Sequence, residues 1–314
     1  MRNLPIMFFH RGNQSYLKYV IEQAEKWNDD VWLLGDDSNR EFAHNWIDSS
    51  KLESELFERF LTRYEHMSTR PYEAEIFCFE SHFRYYEMAK KMGWQKFLTM
   101  DSDVLVYQTL SEDIFEGVES ACGWTKYDDK GTEGNCDPFV SYWTINAMEE
   151  YLNFCVDVYI SKKEELKAKW NYHLENRING GVCDMTLLTM WKKVTARKVM
   201  DIAQEKNGQT FDISVESSNN EFRNEYKMSV LRKVKKIKFI NGIPYLYKQN
   251  GNRVRTCVLH CNGHNKKCIK YFQNCVNIGI PYILINWCSA VKIKIKHTLR
   301  RLKQNINKIQ KVEG

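Results

Sequence analysis

Two aspartates, Asp101 and Asp103, stand between two apolar runs in Lys-Phe-Leu-Thr-Met-Asp-Ser-Asp-Val-Leu-Val-Tyr, residues 96–107. Lys96–Met100 predicts a buried strand and Val104–Tyr107 continues the apolar run, so the acidic turn between them is anchored in a sheet. Two carboxylates one residue apart can hold a hard divalent cation, Mg²⁺ or Mn²⁺, and leave positions open for phosphate oxygens. The carboxyl end of a central strand is where open α/β sheets bind ligands. The bare tripeptide also suits an ordinary solvated turn; the flanking strands are what constrain it.

The rest of the chain predicts an α/β fold with a mostly parallel sheet. A strand over Leu4–Phe9, a loop over His10–Ser15, a helix from near Tyr16 and a strand over Val31–Leu34 ending in Gly35-Asp36-Asp37 form its opening. Residues 41–67 read as charged helix. An amphipathic helix follows from about Tyr72 to Met92, with Ile76, Phe79, Phe83 and Tyr86 on one face, and Gly93 stops it. Ala121–Trp124 predicts a strand, and a turn-rich stretch over 127–138 leads to another at Phe139–Ile145. Helices are expected near 147–169 and 182–193, around Asn179-Gly180-Gly181, with a polar loop or lid over 203–227. Ile237–Tyr247 and Arg253–His260 predict a β-hairpin.

The formal net charge of +6 is unevenly distributed. Val291–Gly314 holds eight Lys/Arg against the single acid Glu313, so the remainder is near neutral at about −1. A near-neutral body argues against a nucleic-acid-coating surface on it. In the tail, Ile295, Leu299, Leu302, Ile306 and Ile309 form one apolar stripe among basic residues. Such a helix suits an anionic membrane surface, and equally a coiled coil or a helix docked on the domain. The ten cysteines read as reduced thiols, because the N-terminal stretch lacks the pattern of a signal peptide. Together these features predict a cytoplasmic protein, peripheral at the inner face of the membrane.

In four segments, in order, the sequence resembles the GT-A fold glycosyltransferases, especially those that assemble bacterial surface polysaccharides. These are Ile6–Asn13 with the strand ending at Gly35-Asp36-Asp37, the helix around Glu75–Glu80, Leu98–Tyr107, and Val258-Leu-His-Cys-Asn-Gly-His-Asn-Lys266. The resemblance implies a Rossmann-like catalytic domain over 1–285, with a nucleotide-binding part at about 1–110 and an acceptor part at about 111–285, then a basic tail at 286–314. It implies Mn²⁺ or Mg²⁺ held by Asp101, Asp103 and His260, with Asp101 also near the ribose and Lys266 on the donor phosphates. His10, Arg11, Gly12, Asn13 and Asp36 would border the nucleotide, and Arg84 would be a further phosphate contact, although Arg84 also suits a helix-surface pair with Glu80. The implied partners are a nucleotide-sugar donor, most simply UDP-linked, and a glycan on a lipid carrier; oligomers through the tail are compatible with both.

For an acceptor hydroxyl, Asp184 after Gly180-Gly181 is the first candidate base and Asp137 the second. An Asp at a helix start also simply favours the helix dipole, and the glycine-then-acid pattern leaves inverting and retaining chemistry open. Three other readings stand beside this one. A nucleotidyl- or phosphoryl-transfer enzyme would use the same carboxylates, though His10-Arg-Gly-Asn lacks the repeated glycines of a phosphate loop. A non-catalytic membrane-associated binding protein is the second. The third is structural zinc at Cys257, His260, Cys261 and His264, against which alternate strand residues face opposite ways.

Overall fold

The computed structural model describes residues 3–126, 134–229 and 234–275; the basic tail over 286–314 lies outside the described residues. The chain up to Cys275 clusters as one compact unit. Its elements are β1 (Ile6–Phe9), α1 (Tyr16–Glu25), β2 (Val31–Gly35), β3 (Asn45–Asp48), α2 (Glu55–Arg63), α3 (Tyr72–Met92), β4 (Lys96–Met100), β5 (Val104–Val106), β6 (Ser120–Trp124) and β7 (Cys136–Thr144). They continue as α4 (Ile145–Ser161), α5 (Lys163–Glu175), α6 (Asp184–Val194), β8 (Val199–Asp201), β9 (Gln209–Asp212), β10 (Ile237–Ile240), β11 (Ile243–Tyr247), β12 (Arg253–His260) and α7 (Ile269–Gln273).

The central sheet runs β3-β2-β1-β4-β7-β6-β8. The strands β3, β2, β1 and β4 are mutually parallel, as is the β6–β8 pair, while β7 runs against both of its neighbours. This is the mostly parallel, helix-flanked sheet expected from the sequence. A second sheet, β10-β11-β12-β5 with β9 paired to β12, takes β5 from the far side of the acidic turn. That turn therefore sits where the chain passes from one sheet to the other.

Buried aromatic side chains fix the helices on the central sheet. Phe79 and Phe83 of α3 meet Phe60 and Phe57 of α2 at centroid distances of 5.0 and 5.2 Å. Trp143 of β7 stacks on Tyr151 of α4 at 5.4 Å and tilts against Trp191 of α6, also at 5.4 Å. Each ring removes a large apolar area from water. The second cluster sets the position of α6, whose first residue is Asp184.

Four local expectations are corrected. Residues 41–67 are not one helix: Asn45–Asp48 pairs with β2 as an edge strand, and only Glu55–Arg63 is α-helical. The stretch 147–169 is two helices, broken at Lys162, whose φ of −129° is not helical. Ile237–Tyr247 is itself a hairpin, turned by Asn241 and Gly242, both at positive φ, the Asn-Gly signal of a tight β-turn. The polar stretch 203–227 contains β9, which joins the second sheet beside β12.

The paired glycines also do something other than admit a ligand. Val182 N–H donates to Met67 O at 2.8 Å and Thr69 N–H to Gly180 O at 3.0 Å, lacing the loop before α6 to the loop before α3. Gly181 has φ +149°, and a Cβ there would lie 2.2 Å from Met67 O, whereas a Cβ on Gly180 would meet nothing closer than 3.7 Å. Gly181→Ala should therefore destabilise the protein by about 3 kcal/mol, and Gly180→Ala by about half of that. Urea unfolding of both variants checks the order; equal midpoints would contradict it.

Candidate functional site

Strand register builds the site. β12 runs antiparallel to β5 with Val258 opposite Val106, Leu259 opposite Leu105 and His260 opposite Val104. Cys261 N–H then donates to Asp103 O at 2.9 Å, extending the ladder into the acidic turn. The turn is closed by Val104 N–H on Asp101 O at 3.2 Å and held to β7 by Asp101 N–H on Phe139 O at 2.9 Å.

As a result His260 Nε2 lies 3.2 Å from Asp103 Oδ1 and 3.7 Å from Asp101 Oδ2. Ligand atoms of the three residues all fall within 4.8 Å of one another, the one such His/Cys/Asp/Glu cluster among the described residues. Lys266, on the 3-10 turn Gly263–Cys268, has its Nζ 3.0 Å from Asp103 Oδ2 and donates to Tyr16 Oη at 3.3 Å. His260 is held on its other sides. Its Nδ1–H donates to Ile213 O, and Phe139 stacks on the ring at 5.1 Å and 8°.

The charges are strongly coupled. Burial opposes protonation of His260, but its hydrogen bond to Asp103 and the charges of Asp103, Asp101 and Asp137 raise it to about 10. Burial alone would raise Asp103; the hydrogen bond and charge of His260, then Lys266, hold it well below the usual carboxylate range. Desolvation and the neighbouring Asp103 push Asp101 up to about 7, although its side chain is half open to the cleft. A proton on His260 and the Lys266 ammonium thus balance the two carboxylates. The donor set itself, two carboxylates and an imidazole whose Nδ1 proton is already committed, fits Mn²⁺ or Mg²⁺.

The cluster opens into a cleft of about 750 Å³ whose walls include Arg11, Phe77, His82, Asp137, Asp184 and Lys266. Asp184 is buried, its Oδ2 3.6 Å from His82 Nε2. His82 is a cleft residue that the sequence did not single out; on an amphipathic helix nothing separates it from its neighbours until α6 is packed across it. Asp137 also lines the cleft, its Oδ1 accepting from Phe139 N–H at 3.1 Å, and burial raises its pKa.

The N-terminal loop lies against the same turn. His10 Nδ1 is 2.7 Å from Ser102 Oγ, Asp36 Oδ2 accepts from Gly12 N–H at 2.7 Å, and Asn13 is exposed. Arg11 packs over Phe9 and Phe77 and pairs with Glu80 at 2.6 Å. Arg84 stands apart. It is engaged by Glu80 at 2.8 Å and by Leu52 O in a largely buried pair, and it is not among the residues lining the cleft. The zinc alternative does not assemble: Cys257 Sγ turns to Gln209, and among the described residues the one group of possible ligands close enough to share a metal is Asp101, Asp103 and His260.

No protein-family model matches the chain, and no curated protein matches it. Among solved structures, it is similar to mouse xyloside xylosyltransferase 1 at 10% identity and a TM-score of 0.45, covering 64% of this chain and 85% of that one. A glycosyltransferase involved in glycosylating the major capsid of PBCV-1 gives 10%, a TM-score of 0.33 and coverages of 64% and 82%. The Streptococcus pneumoniae cytidylyltransferase LicC gives 10%, a TM-score of 0.31 and coverages of 66% and 92%. At 10% identity and TM-scores of 0.31 to 0.45 these likenesses carry no functional weight, and the chemistry rests on the side chains above.

A cation entering the cluster must displace the proton that His260 otherwise keeps up to about pH 10. Mn²⁺ affinity should therefore rise with pH from about 6 to about 9, with between about one and two protons released per ion near neutrality, one from His260 and a fraction from Asp101. Calorimetry in buffers of different ionisation enthalpy reads both quantities; a pH-independent affinity would contradict the assignment.

Proposed function

We propose that this chain is a divalent-cation-dependent glycosyltransferase of the GT-A fold, transferring a hexose-type sugar from a nucleoside diphosphate, UDP first, to a glycan acceptor. The observation that carries the reading is the meeting of Asp101, Asp103 and His260 beside a large cleft that both aspartates line, with Lys266 next to them. Bound Mn²⁺ or Mg²⁺ would supply Lewis-acid charge to the leaving diphosphate. Asp101, Asp103 and His260 would hold it, and Lys266, now on Asp103, would be free to meet a phosphate oxygen in a charge-assisted contact of the same kind. Asp36, Gly12, Asn13 and His10 border the nucleotide, and Arg11 at the cleft wall faces its charged portion.

Asp184 and Asp137 meet the sugar and the acceptor. Both line the cleft beyond the acidic turn, which supports a role in orienting hydroxyls or accepting a proton from one. The acceptor is a lipid-linked glycan of cell-surface polysaccharide assembly. The basic tail, with its apolar stripe from Ile295 to Ile309, brings the enzyme to the anionic inner face of the membrane.

Two experiments test this reading. In a thermal-shift panel of nucleoside diphosphates, UDP with Mn²⁺ should raise the melting temperature, and Asp103→Ala should abolish both the shift and donor hydrolysis; no response to any nucleotide would contradict the enzyme assignment. In liposome flotation, the full chain should bind anionic vesicles and a version ending at Val291 should not. Equal flotation would reject the membrane role of the tail.

A further inference from the structure

Behind the metal-binding face of His260 the polar segment around β9 is tightly bonded, and one side chain lies at its centre. Asn220 is completely buried. Its Oδ1 accepts from Ile213 N–H at 2.8 Å, and its Nδ2 lies within hydrogen-bond distance of Ala203 O, Thr210 Oγ1 and Phe211 O, at 2.8, 2.7 and 3.0 Å. Thr210 Oγ1 completes the knot by donating to Ala203 O at 2.8 Å. Both peptide groups flanking Asp212 are thereby tied to one amide. Asp212 itself is wholly buried against Lys235, whose own N–H donates to Val215 O at 2.7 Å.

What this arrangement presents is the carbonyl of Ile213, which receives the Nδ1 proton of His260. The same loop grips the histidine backbone, with Val215 N–H donating to His260 O at 3.0 Å, and Ser214 Oγ donates to Asn262 Oδ1 at 2.8 Å just beyond it. An imidazole can ligate through Nε2 only while Nδ1 holds the proton, and the acceptor of that proton sets both tautomer and ring direction.

We propose that Asn220 is a positioning residue for His260: by fixing the 211–213 backbone it aims the Ile213 carbonyl at Nδ1 and leaves Nε2 for a divalent cation. The inference rests on the metal-site reading above and extends it to a residue that touches neither cation nor substrate. An amide is suited to the task because it accepts from one peptide and donates to others in a single rigid plane.

The test is Mn²⁺ affinity of the folded protein, measured by titration with EPR detection of the free ion, alongside its melting temperature. Asn220→Ala should weaken Mn²⁺ binding by about 10- to 100-fold. Thr210→Val, a milder cut in the same knot, should weaken it several-fold, while Thr210→Ser, which keeps the hydroxyl, should bind as the wild type does. If Asn220→Ala does not fold, the Thr210 pair decides the matter alone. A lower melting temperature with wild-type Mn²⁺ affinity in the folded variants would overturn the proposal and leave Asn220 a purely structural residue. His260→Ala separates the two levels. If it abolishes binding while the Asn220 and Thr210 variants do not change it, only the positioning role falls; if it binds Mn²⁺ normally, the metal-site reading falls and takes the positioning role with it.

Discussion

The register of β5 against β12 is the constraint on which the site depends. With His260 opposite Val104, the imidazole lies next to Asp103 across a single ladder rung, although more than 150 residues separate them in the sequence. Side chains alternate across a strand, so a slip of one residue would send His260 to the other face of the sheet and leave the carboxylates alone. The register is itself fixed by burial. Val104, Leu105, Val106, Val258 and Leu259 are inaccessible to solvent on both faces of the pair, so a slip would force side chains of different shape into two already packed layers.

A second consequence is electrostatic. Two carboxylates drawn into one partly desolvated turn repel each other, and the fold answers with two cationic partners of different kinds. His260 is rigid, capped on Nδ1 and stacked on Phe139, whereas Lys266 reaches Asp103 from a short 3-10 turn on a flexible stem. The fixed group suits a ligand that coordinates, and the movable one suits a contact that can change partner. Asp101, Asp103, Asp137 and Asp184 together with Arg11, Arg70 and Lys266 give the cleft walls both signs of charge.

Much of this was legible in the sequence because it is local. The apolar flanks of Asp101 and Asp103 mark the sheet edge, and α3 runs over the residues its periodicity predicts. The elements that escaped notice are short or polar. β3 is the four residues Asn45–Asp48, held by strand pairing on one side, and β9 is Gln209–Asp212, which becomes a strand only by pairing with β12. Arg84 could be read two ways until the Leu52 carbonyl and Glu80 were found around its guanidinium. His82 and Asn220 carry no spacing signal at all. Their roles exist only once α6 is packed over α3 and the 203–220 segment is folded behind β12.

The most direct test of the central claim is pulsed EPR of the Mn²⁺-loaded protein. Nitrogen modulation from one imidazole is expected, absent in His260→Gln and unchanged in His10→Gln. Mn²⁺ bound without nitrogen coupling, or coupling that survives His260→Gln, would mean that the acidic turn and the late histidine do not share a cation.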